Sequence, residues 1–474
     1  MSSSNSVTQE QPKALSSYIQ LSYAGADTTF AMMVALTNTF VLIFLTNVAL
    51  FPAAIAGSIL FFGRILDGIS APPIGALIER SNMKWGKYRP WLVIGSVLTL
   101  IFNILIFIDW NGSAGAVVFK AIICCLVYAA FCASTNLVYT GFTSLNSSLT
   151  SVPVERVKLS SLRSQGGAIG RILSGYLLIP MIHFFGGIGE YTVKGFFVTA
   201  VVTSIILVFG YLNLAFAIKD KDTYTPEAEI KEVVQPQLLT RSEAFRFIIT
   251  NRPLMCLFFS DVVRLLSFLV TLAMFPFFFL YVSQDPGAAP MLFGSTAIAT
   301  LVGATLTRFV TKVISKRNTY MLGMIIFGAS FVVANAFKFD TPIMVGALVI
   351  GFVGYAFAST VTTAIYADIV DYGEVKYGKN ARANYFAMFQ LSIKVAAILS
   401  TGISGFGLAA IGFVAGTEPT AQVIAGINFI ALALPIGLSV LTIISMLLFN
   451  LTDKKMLEVR EILESKKVGL DAQL

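Results

Sequence analysis

Charged side chains inside long apolar stretches are the residues of this chain that could do chemistry. If such a stretch spans a bilayer, each charge costs at least about 2.5–3.5 kcal/mol, so it is a candidate for binding an ion, carrying a proton or gripping a polar solute. The near-balance of bases and acids indicates that they pair inside the protein. The bases are Arg64, Arg171, Arg264 and Lys394, and the acids are Asp27, Asp67, Asp261, Asp368 and Asp371.

Some of these charges have an equally good structural explanation. Asp261 and Arg264 are three residues apart, so they share a helical face and can pair locally. A structural ion pair and a functional one both remain open at this position. Asp368 and Asp371 lie near the end of their stretch, where a side chain can reach water, and a structural or gating role is favoured there.

Asp67 and Lys394 lie deep within their stretches, which favours function over structure. Arg64 and Ala71 fall on the same helical face as Asp67, three residues before it and four residues after it. The pair Pro72-Pro73 then removes two amide donors and frees backbone carbonyls. A free carbonyl beside a carboxylate is consistent with a cation site and equally with a helix kink.

The elements that must position these charges are twelve apolar segments. The 474 residues are 56% hydrophobic and only 12% charged, with a mean hydropathy of +0.80, whereas a water-soluble domain has about 25% charged residues. A soluble enzyme, a disordered chain and a nucleic-acid-binding protein are therefore disfavoured. A helix needs about 20 apolar residues to cross a bilayer. The segments lie near 20–47, 51–77, 90–109, 114–139, 163–184, 195–218, 254–283, 291–312, 319–338, 342–370, 384–413 and 423–450.

Histidine and cysteine are too scarce to suggest a cofactor. The chain has one histidine, His183, and four cysteines that all lie in apolar stretches, so it offers neither a disulfide framework nor a zinc-ligand spacing. No Ser/His or Glu-x-x-His arrangement suggests catalysis. We therefore expect no metal, no cofactor and no enzyme activity. The polar N-terminus lacks the apolar core of a cleaved signal peptide.

The distribution of positive charge predicts how the segments cross the membrane. With the N-terminus inside, 26 of the 33 lysines and arginines fall in inside segments and three in outside segments. This is the positive-inside bias of membrane proteins, and it puts both termini in the cytoplasm. The net charge of +8 then needs no nucleic-acid partner. We expect a multi-pass protein of the cell membrane, in bacteria the inner membrane.

The predicted fold is an all-α membrane protein of twelve transmembrane helices in two six-helix halves. A polar cytoplasmic linker, 219–250, separates residues 1–218 from residues 251–450, and a cytoplasmic tail, 451–474, follows. Two related halves joined by a loop are typical of the major-facilitator fold, with the substrate at midplane between them. The sequences of the two halves are weakly similar, because each half contains a short basic loop followed by an apolar run. These loops lie near 80–96 and 308–327.

Several motifs resemble those of the glycoside–pentoside–hexuronide:cation symporters. The loop K-W-G-K-Y-R-P that ends at Pro90 and the stretch A-D-I-V-D-Y-G-E that ends at Glu374 are together specific to that family. The resemblance extends over essentially all twelve segments. Its other anchors are Ser22-Tyr23, Arg64-Ile-Leu-Asp67, Glu155-Arg156, Arg163 and Lys394.

The resemblance implies roles for single residues. Asp67 is similar to the first of two aspartates that bind the coupling Na⁺, Li⁺ or H⁺, and Lys394 is similar to the lysine that faces them. The second aspartate falls at Ala71 in this chain. Arg163 is similar to an arginine near the sugar. Asp27 stands where glucuronide and pentoside carriers of the family often have an aspartate.

The resemblance also implies a substrate class. Galactoside carriers of the family bind sugar hydroxyls with two acidic residues, and this chain has Ala31 and Tyr139 at those positions. Galactosides are therefore disfavoured, and the cluster of basic residues favours an anionic sugar such as a hexuronide or glucuronide, which arginine can bind bidentately. We predict Asp27, Tyr139, Arg163, Gln390 and Lys394 as substrate-binding residues, with Arg171 as a further basic residue of the pocket.

We predict Arg64, Arg89, Asp368, Asp371 and Glu374 as gating or structural charges, which lock the helices on the cytoplasmic side when the transporter is open outward.

The missing second aspartate bears on the coupling ion. A single carboxylate opposite a lysine is a poor host for Na⁺, which prefers several oxygen ligands, but it can take up and release a proton as its surroundings change. We therefore expect Na⁺-independent transport that is proton-driven, with uncoupled transport as the alternative. Na⁺ stimulation would require Ser70, Asn136 or another polar group to complete the ion site.

The sequence thus predicts a monomeric secondary transporter of a sugar or glycoside that works by alternating access. Two alternatives remain open: an uncoupled sugar facilitator, and a transport-inactive membrane sensor on the same fold. Asp67, Arg163 and Lys394 argue against the sensor, because a decayed site has no reason to keep charges that cost insertion energy. The expected partners are the sugar, the coupling ion and the lipid bilayer.

Overall fold

The protein folds as a bundle of long apolar helices. A computed structural model describes residues 15–81, 83–111, 115–150, 153–187, 190–222, 250–377, 382–451, 455–459 and 461–463. Within these ranges, twelve helices are long and apolar enough to cross a membrane. The predicted all-α fold with twelve spans is confirmed. Most of the predicted linker and tail lies outside the described residues.

We number the spanning helices α1 to α12 in chain order. They are α1 Ser17–Val48, α2 Ala53–Arg80, α3 Arg89–Ile106, α4 Val117–Leu149, α5 Pro153–Gly186, α6 Val193–Ala217, α7 Arg252–Val282, α8 Ala288–Val313, α9 Lys316–Ala336, α10 Thr341–Tyr377, α11 Arg382–Ala410 and α12 Ala421–Leu447. Three helices extend several residues beyond the predicted segments, because hydropathy detects only the apolar core. Helix α4 continues to Leu149, whereas the predicted segment ends near 139. Helix α5 begins at Pro153, and α10 continues to Tyr377 through the charged residues that follow its apolar part.

The two halves repeat each other closely at the ends of α1 and α7. Each helix ends in a π-helical turn, at Phe44–Val48 and Phe278–Val282. The second residue after each turn has a left-handed backbone, with φ of 54° at Leu50 and 55° at Gln284. Because the turns and these residues share one sequence separation, α1 and α7 are equivalent in register. The same separation relates Asn47 to Tyr281 and Asp27 to Asp261.

Glycine contacts bring the two halves together at one end of the bundle. We call the side where α1 begins and α12 ends the terminal side, and the opposite side the far side. Towards the far side, a Cβ atom on Gly57 of α2 would lie 2.8 Å from the Cα of Gly405 on α11. Similarly, a Cβ atom on Gly175 of α5 would lie 2.5 Å from the backbone nitrogen of Gly294 on α8. The absence of side chains lets these helices approach to backbone contact.

Polar contacts reinforce this closure on the far side. The amide of Asn47, at the end of α1, donates to the hydroxyl of Tyr281, its equivalent at the end of α7. The hydroxyls of Tyr176 on α5 and Ser295 on α8 lie 3.4 Å apart. These bonds and the glycine contacts are those of a transporter whose halves are closed on the far side.

Candidate functional site

Asp67 and Lys394 meet between the two halves. The Nζ atom of Lys394 on α11 lies 2.7 Å from Oδ2 of Asp67 on α2. The carboxylate is buried, while the lysine side chain is about one-third exposed. The expected contact is present in this structure. The pair joins the N-terminal half to the C-terminal half, so it must respond to any movement of one half against the other.

Asn136 of α4 completes this pair. Its side-chain amide donates to Oδ1 of Asp67 at 2.6 Å, and its side-chain oxygen accepts from Lys394 Nζ at 3.2 Å. The same amide also lies 3.2 Å from the hydroxyl of Ser70, which donates to the backbone carbonyl of Asp67 at 2.9 Å. Both oxygens of the carboxylate are therefore occupied. Ala71, one turn further along α2, adds no polar atom to this group.

A second cation faces the same carboxylate. An Nη atom of Arg64 lies 3.9 Å from Oδ2 of Asp67, and the guanidinium also donates to the side-chain oxygen of Asn38 on α1. Its charge lies over the ring of Tyr128 at 5.6 Å. Two cations thus stand against one carboxylate, and the local charge is positive. A further cation would be repelled there unless one of the two moved away.

A cavity that does not include the Asp67–Lys394 pair lies between the halves, and we call it the central cavity. It has a volume of about 330 Å³ and is lined by α1, α4 and α5 from one half and by α7, α8 and α10 from the other. The ionisable residues that line it are Asp27, Tyr139 and Arg171, all from the first half. Within the described residues, their side chains have no hydrogen-bond or ion-pair partner. Such groups at midplane are available to a polar solute.

Gly167 makes room for the charged groups of this cavity. A Cβ atom there would lie 2.5 Å from Oδ2 of Asp27 and 3.4 Å from an Nη atom of Arg171. The glycine therefore lets the carboxylate on α1 rest against the backbone of α5, beside the guanidinium. Phe30 stacks on Tyr139 with ring centroids 5.0 Å apart and gives the tyrosine a fixed apolar support.

Three predicted substrate residues lie apart from the lining of the central cavity: Lys394, which pairs with Asp67 and lines a smaller cavity, and Arg163 and Gln390. Arg163 is on α5, about two turns before Arg171 towards the terminal side, and is half-buried. Gln390 is exposed, one turn before Lys394 on α11. Neither residue lines the central cavity in this conformation. Their roles in binding stay predictions for a state in which the halves are arranged differently.

A polar residue connects the two sites. The Asp67–Lys394 pair borders a cavity of about 190 Å³, and Asn38 and Leu269 line both this cavity and the central one. Asn38 in turn contacts Arg64. A solute in the central cavity can therefore influence the ion pair through one side chain.

The predicted gating charges form contacts within their own halves. Asp368 on α10 pairs with Lys316 on α9 at 2.6 Å. The backbone N–H of Arg89 donates at 2.6 Å to Oδ2 of Asp222, which follows α6. Within the described residues, Asp371 and Glu374 have no ion pair closer than 4.0 Å. Among the described residues, the contacts given above do not join the two halves, and a lock between the halves stays a prediction for the state that is open on the far side.

Some contacts could not be found from the sequence. Asn38 and Asp222 carry no signal, because an amide in an apolar segment and an acid in a charged loop are both common. Asn136 could be proposed only as one of several polar residues able to complete an ion site. Its spacing gives no indication that α4 packs against α2 at the level of Asp67.

The family to which the chain belongs follows from comparison with known proteins. Residues 22–453 match the family described as MFS/sugar transport protein. The chain belongs to that family. It is therefore a multi-pass membrane transporter of the major facilitator superfamily, and its resemblance to the glycoside–pentoside–hexuronide:cation symporters is confirmed.

Individual relatives cover almost the whole chain. It is 26% identical over 440 residues to the isoprimeverose transporter of Lactiplantibacillus pentosus, covering 92% of this chain and 88% of that protein. It is 26% identical to the glucuronide carrier protein homolog of Escherichia coli, covering 94% and 95%. Among solved structures, the nucleoside transporter NupG matches 92% of this chain and 100% of its own, with a TM-score of 0.66 and 15% identity. This last likeness shows the fold alone.

Proposed function

We propose that the protein is a secondary active transporter of a sugar or glycoside that works by alternating access. The observation that carries this proposal is the central cavity between the halves, where the side chains of Asp27, Arg171 and Tyr139 have no hydrogen-bond or ion-pair partner among the described residues. Polar groups at midplane are costly unless a ligand satisfies them, so they favour a transporter over a transport-inactive sensor. The names of the two relatives, one an isoprimeverose transporter and one a glucuronide carrier homolog, are consistent with a glycoside.

The charges of the cavity support an anionic sugar. Asp27 is the acidic residue and Arg171 the basic residue among those that line it, and Arg163 adds a second positive charge on the same helix. Asp27 can accept hydrogen bonds from sugar hydroxyls, while Arg171 can bind a carboxylate with two parallel bonds. A hexuronide or glucuronide uses both groups. With a neutral glycoside, the single negative charge of Asp27 would face the two positive charges of Arg171 and Arg163.

Replacing the arginine of the cavity should separate the two substrate classes. In Arg171→Gln, uptake of a labelled uronide should fall by about tenfold or more, because a hydrogen bond to a charged group contributes roughly 1.5–3 kcal/mol. Uptake of a neutral glycoside should change much less. The measurement is initial uptake into proteoliposomes, with a panel of labelled uronides and neutral glycosides.

The control for this variant is Arg308→Gln, which removes an exposed arginine of α8 that does not line either cavity. It should transport both classes as the parent does. An equal loss of uronide and neutral uptake in Arg171→Gln would contradict the anionic preference. A lack of uptake of every panel member by the parent protein would contradict the transport function itself.

We further propose that transport is coupled to protons. With Arg64 and Lys394 both facing Asp67, a bound Na⁺ would be a third cation beside one carboxylate. A proton needs a single site, and Asp67 can take it up when the halves rock and Lys394 moves away. The same geometry supports the alternative of an uncoupled facilitator, because Lys394 already neutralises the carboxylate. A pH gradient that drives accumulation distinguishes the two.

A second carboxylate should introduce a response to Na⁺. In Ala71→Asp, the new acid lies one turn from Asp67 on the same face and balances the two cations, while Ser70 and Asn136 supply neutral oxygens. Uptake by the variant should rise severalfold when Na⁺ replaces K⁺ in the assay. The parent and the neutral variant Ala71→Asn should not respond. Clear stimulation of the parent by Na⁺ would show that Ser70 and Asn136 already complete an ion site.

The orientation of the chain is part of the proposal. The 26 positive charges of the inside segments support cytoplasmic termini, in a cell membrane and, in bacteria, the inner membrane. The terminal side is then the cytoplasmic side. The structure is closed on the far side, so this orientation makes it the state that exchanges substrate with the cytoplasm. We expect the monomer to be the transporting unit, because both cavities are built within one chain.

A further inference from the structure

A second ion pair lies buried within the C-terminal half, away from both cavities. Asp261 and Arg264 of α7 form a contact of 2.5 Å, and their side chains are 0% and 3% exposed. The hydroxyl of Ser392 on α11 donates to the other carboxylate oxygen of Asp261 at 2.5 Å. The guanidinium of Arg264 lies over the ring of Tyr355 at 5.0 Å. This cluster therefore connects α7 to α11 by a charge-assisted hydrogen bond.

The cluster is a costly way to hold two helices together. Taking two charges out of water costs more than a pair usually returns, and apolar residues of similar size often stabilise a core better. One Nη atom of Arg264 is buried and has no hydrogen-bond partner within the described part of the chain, which adds to the cost. Stability alone thus gives a poor account of Asp261 and Arg264. A requirement for exact placement of a neighbouring helix gives a better one.

The equivalence of α1 and α7 in the two halves supports this interpretation. Asp261 is equivalent in register to Asp27, and both acids face the helix that packs beside them. Asp27 rests against Gly167 of α5 and stays available in the central cavity, whereas Asp261 is sealed against Ser392 of α11. The two halves therefore use one position differently. The acid of the first half lines the central cavity, and the acid of the second half holds a helix.

The helix that Asp261 holds is the one that carries Lys394. Ser392 and Lys394 are two residues apart, which puts them about 200° apart around the helix axis, on nearly opposite faces. Ser392 contacts α7 within its own half, and Lys394 contacts Asp67 in the other half. Helix α11 is thus held by polar contacts on both faces at the same depth. Only the contact of Lys394 must break when the halves move apart.

We propose that the cluster of Asp261, Arg264 and Ser392 is a positioning device that fixes the depth and rotation of α11, so that Lys394 reaches Asp67. The proposal builds on the coupling role proposed above for that pair. The placement of Lys394, however, can be measured without transport. Removing the Ser392 hydroxyl should loosen the Lys394–Asp67 contact while leaving both of its members in place.

The experiment compares the reactivity of two lysines in one protein. Lys394 and Lys316 are 31% and 32% exposed and pair with an aspartate at 2.7 and 2.6 Å, so Lys316 is an internal reference. Purified full-length protein is treated briefly with formaldehyde and a borohydride, and methylation of each lysine is quantified by mass spectrometry. In Ser392→Ala, methylation of Lys394 relative to Lys316 should rise about fivefold, as expected for the loss of one hydrogen bond.

Two variants provide the controls. Ser392→Thr keeps the hydroxyl and should restore the parent ratio. Ser267→Ala removes a buried hydroxyl of α7 that lines neither cavity and has no hydrogen-bond partner among the described residues, and it should leave the ratio unchanged. An unchanged ratio in Ser392→Ala overturns the proposal, and so does an equal rise at both lysines, which indicates general loosening. If the parent does not accumulate substrate on a pH gradient, the proton coupling fails, while the ratio still decides whether the cluster positions Lys394.

Discussion

Replacing Asp67 by Asn should sharply reduce the amount of folded protein in the membrane, and adding Lys394→Gln should restore part of it. Removing one member of a buried pair leaves the other charge uncompensated, at a cost of about 3 kcal/mol or more. The loss should be greater for Asp67→Asn than for Lys394→Gln alone. The reason is that Arg64 and Lys394 both face this one carboxylate, so its loss leaves two unpaired cations, whereas Arg64 can still neutralise Asp67 when Lys394 is absent.

The measurement is the yield of monodisperse protein after detergent extraction, together with its thermal unfolding temperature. The matched control is the pair Lys316 and Asp368, which has a similar distance but lies within one half near the terminal side. Its single variants should cost less, because the side chain of Asp368 is 13% exposed and that of Asp67 only 6%. Equal yields for the two single variants and the double variant of Asp67 and Lys394 would argue against the pair. None of these three variants should accumulate substrate.

The contact between Asp67 and Lys394 could be predicted because its physics is simple. Each residue lies deep in an apolar segment, and a charge there needs a partner of opposite sign. The same argument predicted the local pair of Asp261 and Arg264 but not its connection to Ser392. A serine in a membrane helix usually bonds to its own backbone, as Ser392 also does, so its second contact gives no sequence signal.

The fold could also be predicted from simple physical constraints. Which side of the transporter is closed in this structure could not be predicted. Twelve apolar segments and a biased charge distribution leave few arrangements open in a bilayer. The sequence does not show which side is closed, because both closed states use the same helices. Glycines such as Gly57 and Gly405 mark close packing in general, but their partner helices become clear only in three dimensions.

Closing the far side depends on those glycines, so adding side chains there should hold the transporter open on that side. A Cβ atom on Gly57 would lie 2.8 Å from the Cα of Gly405, and one on Gly175 would lie 2.5 Å from the backbone nitrogen of Gly294. Backbone atoms cannot move aside as a flexible side chain can. In Gly57→Leu combined with Gly175→Leu, the helices must therefore separate, and overpacking of about 1–3 kcal/mol per site should shift the conformational equilibrium by 10-fold or more.

A cysteine in the central cavity reports this shift. Thr296 lines the cavity from α8 and is buried in the present structure. In a background without the four native cysteines, Thr296→Cys should react with a membrane-impermeant thiol reagent applied to the far side about tenfold faster when both leucines are present. Sugar uptake should be lost at the same time, because closure on the far side is one half of the transport cycle.

The control for added bulk is Gly346→Leu on α10, where a Cβ atom would meet no other atom within 4 Å. This variant should keep both the slow reaction of the cysteine and the uptake of sugar. If the two leucines leave the reaction rate unchanged, then the helices tolerate side chains at Gly57 and Gly175 and the closure does not depend on backbone contact. If the reaction quickens only from the terminal side, then the glycines keep the cytoplasmic opening narrow, and the assignment of the closed side is wrong.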